Sequence, residues 1–298
     1  MNMFDKEKFT EIVSNFVTMS GKILPDDVTQ KLEELKNAET GELAKTVYKC
    51  YFDNQELARK LSRPSCQDTG VINFYVNAGE HFPALGQIND CLKEAVRRST
   101  AEAPLRHNTV AIFDEKNEGT NVGERAPYIH WEIVPDSDKI EIKPYMSGGG
   151  CSLPGRAITL MPSAGYEAIV QYVFDTIVDW GINACPPLLV GIGIAGSVEN
   201  AAVLSKKALL RPIDERHPNP KGAQMEKDLE KGLNELGLGP QGISGRSTVM
   251  GVHIETAARH PSTISVAINV GCWSHRWGDI IIDKDMNYEI ISHKGAKI

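Results

Sequence analysis

Over the first sixty positions, apolar residues recur with helical spacing. Phe9, Ile12, Val13, Phe16 and Val17 fall at i, i+3, i+4, i+7 and i+8, which places them on one face of a helix. Pro25-Asp26-Asp27 opens a second helix with Val28, Leu32 and Leu35 as its stripe. Leu43, Val47, Cys50, Tyr51, Leu57 and Leu61 mark a third. This helical N-terminal layer, residues 1–61, shows no chemistry of its own and is expected to serve packing and assembly.

Beyond it the period shortens. Val71–Val76, Thr109–Phe113, Tyr128–Val134 and Lys139–Lys143 alternate or run as short apolar stretches, which predicts strands. Leu188–Ile194 reads as a buried strand, and Val249–His253 and Ser265–Val270 complete the set. Leu85, Ile88, Cys91, Leu92, Ala95 and Val96 predict a helix between the first two strands, and further helices are expected over 163–180, 198–210 and 223–236. Helices interleave with strands, so the class is α/β or α+β, with a mixed sheet, surrounding helices and the helical N-terminal extension. No repeat or linker breaks the chain, and a single domain over 1–298 is the simplest organisation.

Composition narrows the function classes. The chain carries a net charge of −7 and no long basic run, which argues against nucleic acid as a partner. An anionic substrate would therefore need a local cluster of cations. No stretch approaches the roughly 20 apolar residues of a membrane span, and the charged N-terminus shows no secretory signal, so a cytoplasmic location is expected. There the six cysteines are expected to be free, metal-bound or catalytic rather than disulfide-bonded.

The cysteines sort by context. Cys50 and Cys91 lie in register with apolar helical positions and read as small core hydrophobes. Cys66, Cys185 and Cys272 each stand where a regular element breaks, in Arg63-Pro64-Ser65-Cys66, Ala184-Cys185-Pro186-Pro187 and Gly271-Cys272-Trp273. Turns rich in Gly and Pro bring backbone N–H groups to sulfur and favour the thiolate, the form that binds metal. Most [4Fe–4S] clusters take four thiolates. Three would leave one iron open as a Lewis acid for a substrate hydroxyl. No Cys-x-x-Cys pair exists, so on context alone a metal-binding trio competes with three unrelated thiols.

Several segments together resemble the class I fumarase and tartrate dehydratase family of iron–sulfur hydro-lyases. They are Cys66-Gln67-Asp68-Thr69-Gly70, Pro104-Leu105-Arg106-His107-Asn108, Gly148-Gly149-Gly150, Cys185-Pro186-Pro187, His253 to Pro261, and Gly271-Cys272-Trp273, in the same order and spacing from about residue 10 to 293. Tyr145 to Arg156 and His217-Pro218-Asn219-Pro220-Lys221 are similar to the tartrate branch in particular. The resemblance implies a [4Fe–4S] cluster on Cys66, Cys185 and Cys272. It also implies that Gln67, Asp68, Arg106, the backbone at Gly149, and His260 face a small dicarboxylate. The chemistry suits those roles: Arg106 offers a planar fork for a carboxylate, the glycines allow close backbone approach, Asp68 can exchange a proton with water, and His260 can hydrogen-bond a substrate oxygen. Each has a structural alternative: a cap for Asp68, an ion pair for Arg106, a plain turn for the glycines, a core histidine for His260.

Cys151 departs from the serine common in fumarase-like members and is read as shaping the pocket rather than as a fourth ligand. The single-chain relatives carry a C-terminal domain with further basic residues and a proton-transfer residue, whereas this chain ends at Ile298. The resemblance therefore implies the alpha half of a two-subunit enzyme, dependent on a separate beta subunit, with an α2β2 assembly as the family suggests. The implied reaction is loss of water from L(+)-tartrate to give oxaloacetate. Interconversion of fumarate and L-malate is the alternative.

Overall fold

The computed structural model describes residues 4–298; Met1–Met3 of the charged N-terminal stretch lie outside the described residues. The helices are α1 (Lys6–Lys22), α2 (Asp26–Ala38), α3 (Glu42–Leu61), α4 (Leu85–Glu102), the single turn α5 (Gly149–Ser152), α6 (Gly165–Trp180), α7 (Val198–Ala208) and α8 (Pro220–Glu235). The strands are β1 (Val71–Gly79), β2 (Tyr128–Val134), β3 (Lys139–Ser147), β4 (Arg156–Leu160), β5 (Leu188–Ala195), β6 (Val249–Thr256), β7 (Ile264–Gly271), β8 (Ile280–Asp283) and β9 (Tyr288–Ile290). The class is α+β, as expected, with two mixed sheets rather than one.

The chain divides into two compact units. Unit 1 comprises the chain up to Asp26, Asp53–Gly148 and Arg276–Ile298; unit 2 comprises Asp27–Phe52 and Gly149–His275. Unit 1 holds a five-stranded sheet in the order β2-β1-β3-β8-β9. The β1/β2 pair is parallel and β3 runs antiparallel to β1. Phe9, Phe16, Phe74, Ile88, Leu92 and Ile142 are buried in one core that joins α1 and α4 to the sheet. The i, i+4, i+7 spacing read in α1 is the face that this core buries.

Unit 2 holds a four-stranded sheet in the order β4-β7-β5-β6, with β5 and β6 parallel and β7 antiparallel to both β4 and β5. α6 and α8 contribute Ile169, Val173, Leu229 and Leu233 to a core shared with Val190, Ile192, Val252 and Val266. Strands buried on both faces read as near-continuous apolar runs, which is why Leu188–Ile194 shows no alternation. Among the described residues, no helix is long and apolar enough to cross a membrane.

Three local expectations fail. Thr109–Phe113 forms no strand: only an isolated bridge joins Val110 to Asn117, and Ile112 and Phe113 are 83% and 99% exposed. Alternation without a partner does not make a strand. Asn side chains organise this loop instead, with Asn117 Nδ2 donating to the His107 carbonyl and Asn108 N–H donating to Asn121 Oδ1 at 2.7 Å. Secondly, α3 buries Ala44, Tyr48, Tyr51, Gln55 and Ala58, while Leu43, Leu57 and Leu61 are exposed. The buried face is set by the tyrosines rather than the leucines. As a result Cys50 is exposed, whereas Cys91 lies in the core of unit 1 as expected. Thirdly, β4, β8 and β9 were not legible, being three to five residues long.

Candidate active site

In unit 1 the chain leaves α3, turns through Cys66-Gln67-Asp68 and enters β1. Two glycines let this turn close onto the end of β3. Gly70 has a φ of +78°, and a Cβ there would lie 2.6 Å from the Ser147 carbonyl carbon. A Cβ on Gly148 would stand 3.0 Å from Asp68 Oδ2. These are the left-handed conformation and the close approach that only glycine permits. Asp68 Oδ1 accepts from the Gly70 N–H at 3.0 Å and from Asn108 Nδ2 at 3.1 Å. Asn108 Nδ2 also donates to the Gly70 carbonyl, and the Arg106 N–H donates to Thr69 Oγ1 at 2.9 Å. Asn121 Nδ2 closes the net on the Arg106 carbonyl at 3.0 Å. The segments 66–70 and 104–108 are thus stitched together, and the Asp68 carboxylate is held in one orientation by two N–H donors.

Gln67 and Arg106 are exposed on these same segments. Among the described residues, the Arg106 guanidinium has no hydrogen-bond or ion-pair partner, so the ion-pair alternative is not what the structure shows. From the end of unit 1 nearest Cys272 in sequence, Arg276 reaches back: its Nη2 donates to the Asp68 carbonyl.

In unit 2, Cys185 takes a left-handed conformation, φ 55° and ψ 74°, between a short 3-10 turn at Gly181–Ala184 and Pro186. The Trp273 N–H donates to the Cys185 carbonyl at 3.3 Å, so Cys272 and Cys185 sit on neighbouring backbone. Tyr51 stacks on Trp273 with centroids 4.0 Å apart and donates its hydroxyl to the Pro186 carbonyl at 2.9 Å. Burial, and after it the neighbouring Tyr48 and then Cys185 and Cys272, pushes the Tyr51 phenol far above its ordinary range, so it stays a neutral donor. Gly149 is exposed at the first position of α5, and Cys151 is buried two residues on. Burial pushes the Lys206 ammonium down to about 8, against the opposing pull of the Cys151 thiol. His260 lies on an exposed turn after β6, so it is not a core histidine. Its Nδ1 accepts from the Ser262 N–H at 3.1 Å, which leaves Nε2 to carry the proton of the neutral ring.

Half-buried thiols on turns are the type of donor that an iron–sulfur cluster takes. Cys66, Cys185 and Cys272 are in no disulfide, and each is half-buried on irregular backbone, whereas Cys91 is sealed in a core. Among the described residues, the group of possible metal ligands whose atoms lie within 4.8 Å of one another is Glu80, His81 and Asp136, which is fully exposed and lacks sulfur. A cavity of about 770 Å³ in unit 2, walled by Tyr166, Val170, Phe174, Met225 and Leu229, contains none of the residues named for the site. The same cavity is also lined by His217, Lys221 and Arg259.

Four contributors were missed. Asn108 and Thr69 lie inside segments that were singled out, and an amide two positions from Arg106 and a hydroxyl next to Asp68 were the available signals. Arg276 stands four residues after Cys272, where a lone arginine among Trp273, Ser274 and His275 was the cue. Tyr51 sits in the layer read as free of chemistry.

Unit 1 thus presents the Asp68 carboxylate tied by two N–H donors, with Arg106 on the adjoining segment, and unit 2 presents Cys185 and Cys272 half-buried on neighbouring backbone. The sequence pattern described as fumarate hydratase (Fumerase) matches residues 10–280. The chain is 57% identical to the L(+)-tartrate dehydratase subunit alpha of Escherichia coli (strain K12), over 96% of this chain and 94% of that one. It is equally similar to the subunit of the same name from Shigella boydii serotype 4 (strain Sb227). A chain of Methanocaldococcus jannaschii is 37% identical over 90% of this chain and 95% of its own length. This chain belongs to the class I fumarate hydratase family and is a hydro-lyase.

Proposed function

We propose that the chain is the catalytic-cluster subunit of an iron–sulfur-dependent dehydratase that removes water from L(+)-tartrate to give oxaloacetate. The observation that carries the substrate is the 57% identity, across nearly the whole length of both chains, to subunits named for L(+)-tartrate dehydratase. In this reading both units serve one alpha-type catalytic domain, and a separate beta subunit completes the enzyme, as α2β2. The apolar side chains of Met161, Tyr166, Val178 and Ile182, which unit 2 leaves exposed, are surface of the kind a partner covers.

Cys66, Cys185 and Cys272 would hold a [4Fe–4S] cluster, which when bound supplies a Lewis-acidic iron for the substrate hydroxyl. Arg106 has a free fork for one carboxylate, with Gln67 and the Gly149 backbone as further donors. Asp68, its Oδ1 held by two N–H groups, is the side chain of this chain that would exchange a proton with the departing water. His260 offers its Nε2–H to a substrate oxygen. The proton on carbon goes to a base on the beta subunit. The resulting enol rearranges to the keto acid, so the four-carbon diacid loses one water and no electrons are exchanged.

The second reading is interconversion of fumarate and L-malate, favoured by the description of the family pattern itself. Anaerobic steady-state rates of the reconstituted alpha–beta enzyme separate the two. A kcat/KM at least tenfold higher for L-tartrate than for L-malate is expected; the reverse ranking would replace tartrate with malate as the substrate.

A further inference from the structure

Two helices of unit 2 leave between them the recess of about 770 Å³. Tyr166, Val170 and Phe174 recur every fourth residue along α6, and Lys221, Met225 and Leu229 do so along α8, so each set lines one face of its helix. At one end the helices meet, where a Cβ on Gly232 would lie 2.7 Å from the Phe174 ring. The recess is closed there and extends toward the first turns of both helices. Ile254 of β6 and residues 256–259 form its third side.

The frame of this recess is fixed. Buried Glu226 of α8 accepts from the Ile254 N–H and the His217 N–H, both at 2.8 Å, and from Arg211 Nη1 at 2.9 Å. One carboxylate thus ties α8 to β6 and to the loop before α8. The His217 ring presses on the first turn of α8, where a Cβ on Gly222 would lie 2.6 Å from Cγ, and its Nδ1 accepts from the Asn219 N–H at 3.0 Å. A recess built this way persists without an occupant, and its size is that of a small-molecule site rather than of a packing defect.

Its charges are uneven. Elsewhere in the unit Arg211 meets Glu226 at 2.9 Å and Arg216 meets Glu230 at 2.7 Å. Lys221 and Arg259 form no ion pair among the described residues. Arg259 spends Nη1 on the carbonyls of His260 and Pro261, at 3.0 and 3.2 Å, which anchors it at the rim; Nε and Nη2 have no partner among the described residues. The acid on the wall, Asp228, accepts from Gln224 Nε2 at 2.9 Å. Two cations against one carboxylate leave a local positive excess over an apolar wall, in a chain whose net charge is −7. We infer that the recess binds a small organic monocarboxylate with an apolar, ring-sized body. The body packs on Tyr166, Val170, Phe174, Met225 and Leu229, and the carboxylate meets Lys221 and Arg259. The recess contains none of the residues read as facing the dicarboxylate, so the inference stands whether or not that reading holds.

The test titrates 3-phenylpropionate calorimetrically into the anaerobically reconstituted alpha–beta enzyme and, in parallel, into the alpha chain alone. The neutral amide 3-phenylpropanamide and the diacid succinate are the controls. One 3-phenylpropionate per alpha chain should bind with a dissociation constant below about 1 mM, the scale for a ligand of this size. Lys221 and Arg259 are exposed, so Lys221→Gln and Arg259→Gln should fold as wild type does. Each should weaken 3-phenylpropionate about fivefold or more, the scale of one charge-assisted hydrogen bond. The amide should bind more weakly and be indifferent to both substitutions. Saturating succinate should leave 3-phenylpropionate binding unchanged. An affinity within about twofold of wild type in both variants would overturn the inference, as would no saturable binding up to about 10 mM. Displacement by succinate would put the carboxylate in the substrate site and overturn it too. Binding to the alpha chain that vanishes in the alpha–beta enzyme would replace the small-molecule site with a surface that the beta subunit covers.

Discussion

The turns that carry Asp68 and His260 are built on opposite principles. The Asp68 turn is closed by glycine-to-backbone contact and tied by Asn108, Thr69 and Arg276. The His260 turn is exposed and bonds mainly to itself, through Ser262 N–H to the ring, Arg259 Nη1 to the carbonyls of His260 and Pro261, and Thr263 N–H to the His260 carbonyl. A preset carboxylate avoids reorganisation when a proton moves. A histidine on a self-contained surface loop can adjust to what meets it. The contrast assigns geometry to Asp68 and adaptability to His260, and substitutions should separate the two.

The largest effect is expected at Gly70. Gly70→Ala drives a Cβ into the Ser147 backbone at a positive φ. It should cost on the order of 3 kcal/mol and abolish turnover, read from the melting temperature and the rate together. Asp68→Asn preserves the shape of the turn and should lower kcat by about 10²–10⁴-fold while leaving iron content unchanged. Asn108→Ala releases Oδ1 from one of its two donors and should cost about 1 kcal/mol of stability, with a smaller loss of kcat than Asp68→Asn. His260→Ala should stay within about 0.5 kcal/mol of wild type in stability, so that any change is confined to the kinetics. A His260→Ala variant that melts as early as Gly70→Ala would dissolve the comparison.

The units share a pH response that leaves this contrast untouched. Burial holds the His293 imidazole in unit 1 and the His253 imidazole in unit 2 below the ordinary value of 6.5. The unfolded chain then binds protons that the folded chain refuses, so stability rises with pH through this range and is lost as pH falls from about 6.5. Melting temperatures should drop between pH 7 and pH 5, and His293→Gln should flatten part of that slope.

Most of what a period can carry was legible. α1 buries the face that its spacing marks, and β1, β2, β3, β5, β6 and β7 lie where short apolar or alternating runs place them. The Thr109–Phe113 alternation was lost because pairing is a property of two segments and no second one meets it. α3 was rotated because Tyr48 and Tyr51 outcompete leucine for burial once an aromatic partner, Trp273 for Tyr51, is available. At the site, thiols and acids announce themselves by type. The residues that orient them do not, because Asn108 and Arg276 act through contacts 40 and 208 positions away.

The central claim is that three cysteines form one cluster-binding set, and metal counting tests it most directly. After anaerobic reconstitution with iron and sulfide, wild type and Cys151→Ser should each hold about four iron and four sulfide per chain, as a [4Fe–4S] centre requires. Cys66→Ser, Cys185→Ser and Cys272→Ser should each lose them. A wild-type chain that takes up no cluster, or a cluster indifferent to all three substitutions, would contradict the account.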